Sequence, residues 1–206
     1  LLKRRGILAP AFEIHGGAKG LYEYGPIGGR LLRNLTNQWL EHFTSLGDIV
    51  EISSPTVTPY AVLEASGHVG EFTDSTVTCV ECHTISRADH LLPEELNPDN
   101  LTPSELSEIF SDKPPECPEC GNAKWSEVTT TNLMFNTKLG IGSSAKPAFL
   151  RPETAQGMFT SFPSIYRHFR EKLPFGAMQV GKGYRNEISP RQGMIRLREF
   201  NMAEIE

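Results

Sequence analysis

No run of about 18 apolar residues occurs anywhere in the chain, which removes a membrane-spanning helix from consideration. Basic charge is also in short supply. Twenty Lys and Arg stand against 25 Asp and Glu, for a net charge of −5 and a pI of about 5.7. A protein that binds nucleic acid over its whole surface needs the opposite balance, so any such partner must meet a local basic patch. Cysteines number only four. The opening LLKRRGILAP has no apolar stretch behind Lys3, Arg4 and Arg5 of the kind a secretory signal carries, so no signal peptide is expected. In a reducing cytosol, the expected location, cysteines in close pairs read as metal ligands and not as disulfides. There is no internal repeat. What remains, 38% hydrophobic and 22% charged, suits a globular protein with one sizeable core.

Residues 28–46, GGRLLRNLTNQWLEHFTSL, carry Leu32, Leu35, Trp39, Phe43 and Leu46 at steps of three and four, the spacing of an amphipathic helix. Gly47 supplies its C-terminal stop. DIVEISSPTV follows as a strand, with Pro55 near its end marking an edge or a bulge. Residues 91–116 are acidic and rich in proline. Within them Thr102-Pro103-Ser104-Glu105 has the form of a capping box with proline at the first helical position, which predicts a short helix over roughly 103–110. From 178 onward MQVGKGYRNE, a turn around Ser189-Pro190-Arg191-Gln192-Gly193, and MIRLREFNMAEIE predict a long hairpin with a broad loop. The final NMAEIE stops in mid-pattern, so the chain is expected to be a fragment of a longer protein.

CVEC at 79–82 and CPECG at 117–121 form a CxxC…CxxC set. Two knuckles of this kind offer four thiolates, Cys79, Cys82, Cys117 and Cys120, which suit tetrahedral zinc. Gly121 can take the positive φ that such a turn often requires. Residues 83–116 are longer than the usual spacer, so a small subdomain must fold inside it; His83 and His90 are conceivable substitute ligands. Four protein ligands leave no open position, and the site reads as structural. The alternative, four unrelated thiols, is disfavoured by the paired spacing.

The hairpin concentrates Arg185, Arg191, Arg196 and Arg198 in an acidic protein. Alternation along the second strand places Arg196, Arg198, Phe200, Met202 and Glu204 on one face. Ile195, Leu197, Ala203 and Ile205 then face the core, with Glu199 and Asn201 interrupting. Arg185 and Glu187 share a face on the first strand. Guanidinium forks match phosphate oxygens, and an aromatic ring can stack on a planar base. Carboxylates among them either hold the arginines or bind a cationic group on a second substrate. A solvated strand face laced with ion pairs is the plainer alternative. RPETAQGMF at 151–159 is a second dense spot, where Glu153 alone would read as a charge at a helix start.

Taken together, LYEYGPIGGRLLRNLTNQW, RADHLL, LMFNTKLG, LRPETAQGMF and GKGYRNEISPRQGMIRLREFNMAEIE resemble glycyl-tRNA synthetase of the dimeric archaeal and eukaryotic kind, a class II aminoacyl-tRNA synthetase. The resemblance covers nearly the whole chain and is poorest over 91–116. It implies an α+β fold, a class II antiparallel sheet flanked by helices, with a small zinc-binding insertion. Residues 1–77 would form the first part of the catalytic core, with motif 1 as a dimer element. Residues 78–121 would be the insertion, and 122–206 the second part, with motif 2.

By the same resemblance Arg185 holds the α-phosphate of ATP. Asn186, Glu187, Arg196, Leu197 and Phe200 match positions around the nucleotide, Glu187 by the adenine amino group and Phe200 under the base. Glu153 and Glu204 match positions facing the ammonium of glycine, and Arg87 a substrate-side position. The implied partners are ATP with Mg2+, glycine, tRNA(Gly) and a second copy of the chain. Motif 3 and an anticodon-binding domain are absent from the 206 residues, so weak or no activity is expected of the chain alone. Two other functions remain open from the sequence: a non-catalytic synthetase-like accessory subunit, and a zinc-ribbon module that binds nucleic acid.

Overall fold

The computed structural model describes residues 1–190 and 193–206. Arg191 and Gln192, at the expected hairpin turn, lie outside the described residues. In chain order the elements begin with β1 (Leu8–Pro10), β2 (Tyr22–Tyr24), α1 (Pro26–Thr44), β3 (Ile49–Glu51), β4 (Val57–Pro59) and α2 (Tyr60–Ala65). They continue with α3 (His68–Glu71), β5 (Thr73–Thr78), β6 (Ile85–Arg87), α4 (Pro103–Asp112) and β7 (Thr129–Asn132). The last are β8 (Asn136–Leu139), β9 (Lys146–Leu150), α5 (Ala155–His168), β10 (Gly176–Tyr184) and β11 (Glu199–Ile205). The fold is a mixture of helices and small sheets. Strand pairing is antiparallel except for β3 with β10, which run parallel. The chain divides into two compact units, the first of residues 1–66, 134–186 and 190–206, the second of residues 67–133 and 187–189.

The first unit contains the sheets β11-β10-β3, β4-β9-β8 and β1-β2. Helix α1 starts at Pro26, where a missing N–H costs nothing, and the carbonyl of Gly6 accepts from the amides of Ile27 and Gly28 at 3.0 and 3.3 Å. Gly47 (φ 89°) closes its end by donating to the Thr44 carbonyl at 3.2 Å. The expected apolar stripe is only partly covered: Leu32, Trp39 and Phe43 are half-buried, while Leu35 is 66% exposed and Leu46 lies past the helix end. Helix α5 lays Met158 and Ile165 on Ala177 of β10, and Val50, Ile52, Phe169 and Phe175 pack around them.

Two strand expectations need correction. DIVEISSPTV is not one strand. β3 ends at Glu51 and β4 begins at Val57 in a different sheet, and Pro55, which has no amide to give a ladder, lies in the crossing. The second hairpin strand begins at Glu199, so Arg196, Leu197 and Arg198 precede it and strand alternation does not place them. Ile195 is 84% exposed instead of facing the core, and Ala203 is exposed as well. Likewise β10 ends at Tyr184, one residue short of Arg185.

The second unit is built on the sheet β6-β5-β7, with its own core of Val77, Ala88, Leu106 and Phe110. Helix α4 appears where the capping box predicts it. Thr102 Oγ1 accepts from the Glu105 amide at 3.3 Å, and Glu105 Oε2 accepts from the Thr102 amide at 2.8 Å. Leu106 and Phe110, four residues apart, turn inward together, and the Phe110 ring meets Trp125 edge-on at 6.0 Å.

Candidate functional site

The register of β10 against β11 sets one wall. Gln179 lies opposite Glu204, Gly181 opposite Met202 and Gly183 opposite Phe200. Residues directly opposite share a face, so this face carries large side chains on β11 over two glycines on β10. A Cβ at Gly183 would lie 2.8 Å from the Phe200 ring, and one at Gly181 only 2.1 Å from Nη2 of Arg151. The glycines are the space in which the ring and the guanidinium lie. One more backbone bond, Arg185 N to Arg198 O at 3.0 Å, continues the ladder past Tyr184. The Arg185 guanidinium carbon stands 5.4 Å from the Phe200 ring centroid, and its Nε donates to the Pro152 carbonyl at 3.3 Å.

The turn before α5 and the first residues of α5 supply Glu153 and partners for two carboxylates, the second being Glu204 of β11. Arg151, 6% exposed, donates Nε to the Lys182 carbonyl at 2.8 Å and Nη1 to the Ser54 carbonyl at 2.9 Å and hydroxyl at 3.2 Å. Burial lowers its pKa, with Tyr184 and Glu204 acting the other way. It is a buried charge that ties β10 to the β3–β4 crossing. Glu204 accepts from both the amide (3.0 Å) and the hydroxyl of Thr154, and Glu153 accepts from Gln156 Nε2 at 2.6 Å. Ser54, Val62, Arg151, Glu153, Gln156 and Thr160 are among the residues lining a pocket of about 190 Å³. Gln156 Oε1 and Gln179 Nε2 are buried without a protein partner among the described residues.

The structure thus brings Arg185, Phe200, Glu204 and Glu153 around one turn of the first unit, with Asn186 following Arg185 in the chain. Arg196 and Leu197 lie in the irregular stretch before β11. Arg198, grouped with the anion-seeking arginines in the sequence, has another employment: Nη1 donates to the Lys19 carbonyl at 2.9 Å and its amide to the Gly20 carbonyl at 2.8 Å. Glu187 groups with the second unit. So does Arg87, whose guanidinium is forked onto Asp89 and lies 3.3 Å from Asp74. Burial alone would raise the pKa of Asp89, but the hydrogen bonds and charge of Arg87 hold it below the usual carboxylate range. Sequence reasoning gave no role to Gln179, nor to Arg151, Thr154 and Gln156 within the dense stretch 151–159. The available signals were a charge directly after the apolar Ala148-Phe149-Leu150 and a glutamine between Met178 and Val180.

In the second unit the sulfurs of Cys79, Cys82, Cys117 and Cys120 lie within 4.8 Å of one another. The two knuckles match. The amide of His83 donates to the Cys79 carbonyl at 3.0 Å, and that of Gly121 to the Cys117 carbonyl at 2.8 Å; both donors have positive φ, 58° and 74°. The histidines are not among the clustered ligands. Tetrahedral zinc with Zn–S near 2.3 Å requires sulfurs about 3.8 Å apart, and the pairs Cys79–Cys120 and Cys82–Cys117 stand at 3.6 and 3.7 Å. Hydrogen bonding with Thr84 lowers the Cys82 thiol to about 6. At Cys120 the backbone of Asn122 favours the thiolate, but desolvation and the three other sulfurs push it up to about 12. Four thiols this close cannot all ionise unless a cation sits among them, and the donor set fits zinc.

No protein-family model matches the chain. Glycine--tRNA ligase of Methanococcus maripaludis strain C7 is 53% identical over 206 residues, 99% of this chain and 36% of that protein. The glycine--tRNA ligase of Methanocaldococcus jannaschii is 50% identical over 208 residues, 100% of this chain and 36% of that protein. The chain is therefore homologous along its length to glycine--tRNA ligases, and spans 36% of the length of these curated relatives. In fold it is similar to Giardia lamblia prolyl-tRNA synthetase in complex with prolyl-adenylate, with a TM-score of 0.56 and 16% identity over 99% of this chain and 29% of that one. It is also similar to the RNA binding domain of threonyl-tRNA synthetase from Cryptosporidium parvum, with a TM-score of 0.55 and 16% identity over 97% of this chain and 34% of that one. The mixed architecture is thus similar in fold to these two synthetase structures.

Proposed function

We propose that this chain is part of a glycine--tRNA ligase that activates glycine with ATP and passes the glycyl group to tRNA(Gly). The observation that carries the proposal is the convergence of Arg185, Phe200, Glu204 and Glu153 on the 151–156 turn, in a chain about half identical to such ligases. Phe200 takes the adenine face and Arg185 the α-phosphate. Asn186, Arg196 and Leu197 add nucleotide contacts, and Glu153 and Glu204 receive the ammonium of glycine. Mg2+ accompanies ATP and shares its triphosphate charge.

The chemistry follows from charge. A glycine carboxylate oxygen attacks the α-phosphorus, pyrophosphate leaves with the electron pair of the broken P–O bond, and glycyl-adenylate remains. Two anions must meet, and Arg185 offsets their repulsion as charge builds in the transition state. The carboxylate is already a nucleophile, so orientation does the remaining work and no general base is required. Glycine has no side chain to grip. Fixing its ammonium between two carboxylates presses the Cα against the wall, and a larger amino acid is refused by want of room. The acyl group then moves to the 3′ end of tRNA(Gly).

Zinc in the cysteine cluster is a structural brace in this reading. The protein works in the cytoplasm as a homodimer through the motif 1 region. Support for the dimer comes from α1, whose Ile27, Leu31 and Leu35 are 52%, 56% and 66% exposed. No helix among the described residues is long and apolar enough to cross a membrane. The test is ATP–pyrophosphate exchange by the full-length protein. Exchange that depends on glycine and not on alanine or serine is expected, and Glu204→Ala should raise the glycine requirement sharply while ATP binding persists. Exchange indifferent to glycine would overturn the proposal.

A further inference from the structure

We infer that Thr154 is a positioning residue for glycine recognition, acting through the Glu204 carboxylate without touching the substrate. The inference rests on the reading of Glu204 as an ammonium ligand and deepens it. Thr154 occupies the N-cap of α5, where a threonine hydroxyl ordinarily accepts from an amide of its own first turn. Here it makes no such bond. The hydroxyl turns away from its helix and donates to Oε2 of Glu204, and the Thr154 amide donates to the same oxygen at 3.0 Å. Thr154 is 0% exposed, so no solvent competes for either donor.

Three consequences follow for the carboxylate. Both donors converge on one oxygen, Oε2, and leave Oε1 as the atom that a ligand ammonium meets. A glutamate side chain has rotamer freedom to lose, and two fixed donors remove it before the substrate arrives. The donors also belong to the start of a 14-residue helix, whose first-turn amides favour a negative charge. On β10 the cross-strand neighbour of Glu204 is Gln179, itself 0% exposed and tied by Oε1 to the Ser54 amide at 2.8 Å, so the floor beneath the carboxylate is equally fixed. A substrate without a side chain is distinguished only by where its ammonium and Cα stop. A carboxylate free to swing would let a larger amino acid settle a little further out.

The test is steady-state kinetics of the full-length protein with Thr154→Val, which keeps the shape and removes the hydroxyl, and Thr154→Ser, which restores it. Thr154→Val should raise the KM for glycine about tenfold, as loss of an outer-shell hydrogen bond commonly does. The KM for ATP should stay within about twofold, since uniform loss of structure would move both. Thr154→Ser should recover most of the glycine KM. In Thr154→Val combined with Glu204→Ala, the KM should equal that of Glu204→Ala alone, because a residue acting through another adds nothing once the other is gone. Should Thr154→Val melt early, Thr154→Ala read against Thr154→Ser makes the same comparison. An unchanged glycine KM in Thr154→Val, equal shifts in both KM values, or additive effects in the double variant would overturn the inference and leave the reading of Glu204 standing. An unchanged glycine KM in Glu204→Ala would overturn the reading itself, and the inference with it.

Discussion

In the second unit four sulfurs within 4.8 Å come from two short knuckles, each closed by a backbone hydrogen bond of its own. In the first unit Arg185, Phe200, Glu204 and Glu153 come from separate segments of chain. Thr154 holds Glu204, Gln156 holds Glu153, and the carbonyl of Pro152 accepts from Arg185. The knuckles gather four thiols that could hold one metal ion. In the first unit Glu153 lines an open pocket together with the buried Arg151 and Gln156. A candidate cation site can be local, whereas the site proposed to bring two anions together draws on fixed groups gathered from far apart, because local segments cannot surround both reactants.

Removing the metal should give the largest effect and sharpen the contrast. Chelation should abolish slow amide exchange across residues 67–133, because structural zinc supplies folding free energy on the order of 10 kcal/mol in small domains. Amides of β10 and β11 should keep their protection. Hydrogen exchange that stays slow in 67–133 after the zinc has gone would break the comparison. Next in size is Arg185→Ala, expected to lower ATP–pyrophosphate exchange on the order of a hundredfold or more, the scale of losing one preorganised donor to transition-state charge. Near-normal exchange would show that the wall is not the reacting surface.

Arg151→Met tests whether the supports matter as much as the ligands. It strands the carbonyls of Lys182 and Ser54 in a buried place and should cost about 2–4 kcal/mol, read in urea melts. A loss under a kilocalorie would mean that the clamp is ornamental. The smallest effect belongs to Thr102→Ala, about 1 kcal/mol from the lost cap of α4. It should lower the melting temperature and leave the KM for glycine unmoved. A changed glycine KM would connect the acidic helix to the wall.

What was legible in the sequence follows the same division. The capping box, the cysteine knuckles and the Gly47 stop depend on neighbours a few residues apart, and each appears where spacing placed it. Arg198 did not, because its partner, the Lys19 carbonyl, lies at the other end of the chain and no periodicity points to it. Alternation misplaced Ile195 because the strand begins only at Glu199, and a period of two has no meaning outside a ladder. Pro55, which reads as an edge or a bulge within one strand, instead lies where the chain leaves one sheet for another. Thr154 and Gln179 were invisible for a further reason: their work is done by burial and by partners 50 and 125 residues away in the chain.

The central claim is that Glu153 of the 151–156 turn and Glu204 of β11 present their carboxylates to glycine beside an arginine for the α-phosphate. A crystal structure of the full-length protein with a non-hydrolysable glycyl-adenylate analogue tests it directly. The account predicts the ammonium within hydrogen-bond distance of Glu204 Oε1 and of Glu153, and the phosphate on the Arg185 guanidinium. An analogue bound with its ammonium away from both glutamates would contradict it.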